Sequence, residues 1–107
     1  MHSPIISVLM PVYNNQKYLQ KSIESILTQT VGDYEFIIVN DGSTDSSEKI
    51  IKNYQEKDDR IILLTQENQG VTKSLNKGIK NCRGKYIARM DADDVCAWRR
   101  GTGASVL

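Results

Sequence analysis

Cysteine is scarce, with only Cys82 and Cys96 in 107 residues. Their spacing matches neither a CxxC motif nor a disulfide framework, which argues against a stapled secreted scaffold and for a reducing, cytoplasmic setting. Cys82 then reads as a small core residue and Cys96 as a free thiol. No apolar run approaches the roughly 20 residues that span a bilayer. The start, Met1-His2-Ser3-Pro4-Ile5, lacks the basic and apolar regions of a secretory signal. An excess of one charge is missing too: 14 Lys and Arg stand against 13 Asp and Glu. Composition therefore offers no electrostatic footprint for nucleic acid. A glycine-rich phosphate loop is also absent, because Pro11-Val12-Tyr13-Asn14 follows the first apolar run. That removes dinucleotide-dependent oxidoreductases, whose pyrophosphate must approach bare backbone. What is left is a globular composition long enough for one domain.

What is present is an alternation. Ile5-Ile6-Ser7-Val8-Leu9-Met10 is a nearly continuous apolar run, as in a strand covered on both faces. Asn14-Asn15 supplies a turn and a helix cap, and Leu19, Ile23, Ile26 and Leu27 then fall at helical spacing. Tyr34-Glu35-Phe36-Ile37-Ile38-Val39 forms a second strand that runs into the polar loop Asn40-Asp41-Gly42-Ser43-Thr44-Asp45. Asp45 with Glu48 predicts a capping box for a helix that buries Ile50, Ile51 and Tyr54 and ends near Lys57. Ile61-Ile62-Leu63-Leu64 is a third strand. A third helix carries Val71, Leu75, Ile79 and Cys82 on one stripe and Lys73, Lys77 and Lys80 on a solvated one. Gly78 marks close packing or the end of that helix, and Gly84 is placed as its stop. Tyr86-Ile87-Ala88 is the fourth strand.

The order β-α-β-α-β-α-β, with crossovers long enough for helices, predicts an α/β fold: an open, doubly wound parallel sheet of about four strands and three helices. Ligands of such sheets bind outside the carboxyl ends of the strands, where strand order reverses. Three polar loops would meet there: 12–14, 41–43 and 91–94. The last holds Asp91-Ala92-Asp93-Asp94. Asp91 and Asp93 should aim together and Asp94 away, because residues i and i+2 of a strand share a side. Converging carboxylates need a cation or donors, and an oxygen-loving divalent ion that also carries phosphate suits them.

Taken together, these pieces resemble the N-terminal half of a family 2 glycosyltransferase with the GT-A fold, a Rossmann-like domain. The motifs are Ser7-Val8-Leu9-Met10-Pro11-Val12-Tyr13-Asn14, Val39-Asn40-Asp41-Gly42-Ser43-Thr44-Asp45, Asn68-Gln69-Gly70, Asn76-Lys77-Gly78, Gly84-Lys85-Tyr86-Ile87 and Asp91-Ala92-Asp93-Asp94. The resemblance implies transfer of a sugar from a nucleotide-diphosphate donor, by expectation a UDP-sugar, to an acceptor hydroxyl with Mn²⁺ or Mg²⁺. It implies that Pro11, Val12 and Tyr13 line the base site and that Asp41 accepts a hydrogen bond from uracil or ribose. By the same resemblance Asp91 and Ala92 belong to the donor site, with Asp91 near the ribose. Asp93 would bind the metal.

The expected boundaries are a nucleotide-sugar-binding half over 4–94 and a non-family tail over 95–107, either disordered or the product of a change of reading frame. That tail shows no helical or strand period. The acceptor half, with its general base, would then be missing, so the chain is expected to bind donor but to be weakly active or inactive alone. The acceptor, a glycan or lipid-linked sugar, would belong to a longer parent that could sit peripherally on a membrane. The exposed edge of the fourth strand would invite self-association. Two alternatives use the same residues: a non-catalytic nucleotide-binding module, and a phosphohydrolase reading of the Asp91-x-Asp93-x-Val95 pattern.

Overall fold

The computed structural model describes residues 4–28, 33–91 and 105–106. The elements in order are β1 (Ile6–Val12), α1 (Gln16–Leu27), β2 (Tyr34–Asp41), α2 (Ser47–Lys57), β3 (Ile61–Gln66), α3 (Val71–Asn81), β4 (Tyr86–Arg89) and β5 (Ser105–Val106). The sheet order is β3-β2-β1-β4-β5. β1 to β4 are mutually parallel, and β5 joins β4 antiparallel. The chain thus moves outward from β1 through β2 to β3, then crosses back to set β4 on the other side of β1. That reversal opens a crevice at the carboxyl ends of β1 and β4. Ser105 lies opposite Arg89 and Val106 opposite Ala88. The expected open edge of β4 is therefore paired over those residues; a two-residue strand is too short to show a period in the sequence.

Strand alternation sorts the core into two layers. Val8, Met10, Val12, Phe36, Ile38 and Met90 face one side, where Leu19, Ile23 and Ile26 of α1 and Ile51 of α2 cover them. Leu9, Ile37 and Val39 face the other, packed by Leu75 of α3 with Cys82 and Ile87. β2 is buried along its whole length, the apolar run Phe36-Ile37-Ile38-Val39 and the polar Glu35, Asn40 and Asp41 alike. Burying each such apolar side chain stabilises the fold by about 1.5–3 kcal/mol.

Three local expectations are corrected. The Asp45–Glu48 capping box does not form: Ser46 is the N-cap of α2, and Glu48 faces Asn40 and Thr65. Gly84 is not the stop of α3, which ends at Asn81. Its hydrogen-for-side-chain economy serves a close approach, since a Cβ there would stand 2.5 Å from the Ser7 nitrogen. The apolar stripe of α3 is also shifted. Ser74 and Gly78 are its buried residues, while Val71 and Ile79 are exposed. Among the described residues no helix is long and apolar enough to cross a membrane.

Candidate functional site

The same alternation that sorts the core places the site. Pro11 shares the face of Leu9, Asp41 that of Ile37 and Val39, and Asp91 that of Ile87 and Arg89. Leu9 pairs with both Ile37 and Arg89, so two residues further on Pro11, Val39 and Asp91 fall in one row on the α3 side, and Asp41 follows two residues beyond Val39 on the same face. There Pro11, Val12, Tyr13, Asn15, Asp41, Val71, Ser74 and Asp91 enclose a cavity of about 280 Å³. Five of the residues read from sequence, Pro11, Val12, Tyr13, Asp41 and Asp91, meet here. Ala92, Asp93 and Asp94 lie outside the described residues.

Asp41 is only 3 % exposed, yet it is well provided with donors. Gln66 Nε2 (2.7 Å) and the Gln69 amide (2.8 Å) donate to Oδ1. The Gly70 amide (2.9 Å) and Asn68 Nδ2 (3.3 Å) donate to Oδ2. The β2–β3 register sets Gln66 directly beside Asp41. Burial pushes the Asp41 carboxyl upward, but the Gln66 side chain, the Gln69 and Gly70 amides and the Ser74 hydroxyl outweigh it and hold the pKa below its ordinary value. Four donors fill the capacity of a carboxylate, so a ligand group reaching Asp41 must share with one of them. The anion also lies just before α3, where the helix dipole favours it.

Asp91 differs in every respect. Its side chain is 49 % exposed and paired with Arg89 Nη2 at 3.2 Å. Arg89 Nε is buried and has no hydrogen-bond partner among the described residues. Tyr13 (48 % exposed) and Val71 (50 %) supply exposed apolar surface to the cavity wall. Among the described residues no three His, Cys, Asp or Glu side chains form a cage for a metal ion.

Sequence reasoning did not single out Asn15, Val71 and Ser74 as lining residues, nor the role of 66–70 in holding Asp41. The Asn68-Gln69-Gly70 loop ahead of α3 was the available signal, because its amides point back into the sheet end.

A carboxylate-rimmed crevice at the switch point of a doubly wound sheet defines the nucleotide-binding α/β class. Within that class the assignment is specific. Residues 7–99 match the glycosyl transferase family 2 model, and the chain belongs to that family. It is 46 % identical over 89 residues to the glycosyltransferase GlyA of Streptococcus pneumoniae, covering 83 % of this chain and 13 % of the relative. Among solved structures, the Pyrobaculum calidifontis mannosyltransferase PcManGT, in complex with GDP-Man and Mn²⁺, superposes with a TM-score of 0.83 at 22 % identity, over 92 % of this chain and 30 % of that one. That likeness is one of fold. TarS 1–349 of S. aureus, in complex with UDP-GlcNAc, gives a TM-score of 0.77 at 28 % identity, over 82 % of this chain and 26 % of that one. The chain thus spans 13 % of GlyA's length and less than a third of each solved chain.

Proposed function

We propose that these residues form the donor-binding part of a glycosyltransferase that uses a nucleotide-diphosphate sugar, with a UDP-sugar as the favoured donor. The observation that carries this reading is the convergence of Asp41, at the end of β2, and Asp91, just past β4, with Pro11, Val12 and Tyr13 around one cavity. UDP-GlcNAc bound to TarS supports the choice of donor. Tyr13 and Val71 would offer apolar surface to the base, and Asp91 would face the ribose. Asp41 would meet the base or ribose by sharing one of its four donors.

Mn²⁺ or Mg²⁺ fits the chemistry present. Asp91 brings a half-exposed carboxylate to the cavity, and hard divalent ions take such oxygen donors. Asp93, two residues on, is the proposed ligand. A bound ion would neutralise charge developing on the diphosphate leaving group. The acceptor hydroxyl needs a general base within hydrogen-bond reach. Of the titratable groups on the cavity wall, Asp41 is already engaged by four donors and Asp91 is ion-paired. Among the described residues neither wall carboxylate stands unpartnered as a base, and we expect the 107-residue chain to bind donor with little or no turnover.

Calorimetric titration with UDP, with and without Mn²⁺, tests this. Wild type should bind more tightly with the ion, and Asp93→Ala should lose that metal-dependent gain. No UDP binding in either condition would refute the donor site.

A further inference from the structure

We propose that Asn14 is a positioning residue: its side chain clasps the β1–α1 loop to the β2–α2 loop and so sets where Tyr13 and Asn15 stand on the cavity wall. The inference deepens the donor-site reading above and rests on it for its ligand.

Two observations carry it. Asn14 has φ +49°, and among the described residues it is the non-glycine found in that left-handed region, which asparagine tolerates better than most side chains. Its Oδ1 accepts from the Thr44 amide at 2.8 Å and the Asp45 amide at 3.3 Å. Its own amide donates to Ser43 Oγ at 2.9 Å. The neighbours repeat the pattern. Asn15 N donates to Ser47 Oγ, Gln16 N to Asp45 Oδ2, and Ser46 N to Gln16 Oε1. Residues 14–16 and 43–47 are thus bound along their length, though some 30 positions separate them in the chain.

Tyr13 explains why the clasp matters to the site. It lines the cavity but is half exposed, so core packing does not hold its ring. Its amide instead donates to Asn15 Oδ1 at 2.8 Å, within the same clasped turn. A turn of purely local purpose would need only the positive φ, which glycine supplies. The crossing bonds need an acceptor oxygen, which glycine lacks and aspartate keeps. Asn14→Gly and Asn14→Asp therefore separate the two roles.

Hydrogen exchange of the full chain gives the first readout, since it needs no ligand. In Asn14→Gly the Thr44 and Asp45 amides should exchange about fivefold to tenfold faster, the factor that one or two lost bonds imply. In Asn14→Asp they should stay near wild type. Affinity for UDP with Mn²⁺ should follow the same order, falling about tenfold in the glycine variant and recovering in the aspartate one. Should the glycine variant fold poorly, Ser43→Ala removes the acceptor of the Asn14 amide alone and should move both readouts the same way by less. Unchanged exchange at Thr44 and Asp45 in Asn14→Gly overturns the clasp. Faster exchange with unchanged UDP affinity overturns its link to the site. If wild type itself fails to bind UDP, the donor reading and the positioning role both fall, while the exchange data still decide whether the clasp exists.

Discussion

At the scale of single residues, the buried carboxylates among the described residues are surrounded by donors. Asp41 and Glu35 are each 3 % exposed. Glu35 takes the Ser7 hydroxyl (2.6 Å), the Arg83 amide (2.7 Å) and Arg83 Nε (3.0 Å). Asp41 is the sharper test because two of its four donors, the Gln69 and Gly70 amides, are backbone and cannot turn away. In Asp41→Asn one oxygen becomes an NH₂ group facing donors, so at least one buried N–H loses its acceptor. The expected loss is about 1–3 kcal/mol, read as a lower urea midpoint with unchanged slope. An Asn variant as stable as wild type would mean that the 66–70 loop does not depend on the carboxylate. The position of Asp41 at a strand end was legible in the sequence. Its partners were not, because they lie 25 to 29 positions away and only strand register makes them neighbours.

Among elements, α3 shows where periodicity succeeds and where it stops. Its existence follows from the spacing of Leu75 and its neighbours, but its end was placed too late and the buried face was read one step off. Small residues, Ser74 and Gly78, touch the sheet and leave Ile79 outside. A pattern that scores apolar residues overlooks contacts made by the absence of a side chain. At Gly78 a Cβ would collide with Leu9 Cδ1 and come within 3.1 Å of Cδ2, and Leu9 is fully buried. Gly78→Ala should therefore destabilise by up to about 2 kcal/mol, since overpacking of about 1–3 kcal/mol is offset by about 1 kcal/mol of helix propensity. A denaturant double-mutant cycle with Leu9→Ala should show relief of that clash. A stabilised single variant would rule out the close approach. The missed capping box has a similar origin. The Asp45 amide that Glu48 should have reached is taken by Asn14, a competitor no local window contains.

For the molecule as a whole, these carboxylates make stability a function of acid. Glu35, Asp41, Asp45 and Asp58 all have pKa values below their ordinary ones of 4.5 for Glu and 3.8 for Asp. For Glu35, Asp41 and Asp45 burial acts upward and hydrogen bonds outweigh it; for Asp58 the Arg60 side-chain bond leads. The unfolded chain takes up protons at the ordinary values, whereas the native one holds off until lower pH. Between those limits the unfolded state binds more protons, so stability falls as pH falls. The contribution is complete above about pH 5 and is lost on descending through the ordinary values toward the depressed native ones. Urea midpoints should accordingly be flat from neutrality to about pH 5 and then drop. Glu35→Gln should start lower at neutral pH, because the Arg83 guanidinium at 3.0 Å loses its counter-charge. Its curve should converge on wild type in acid, where the native Glu35 is itself protonated. Parallel curves for the two proteins would show that Glu35 stabilises the fold by shape and not by charge.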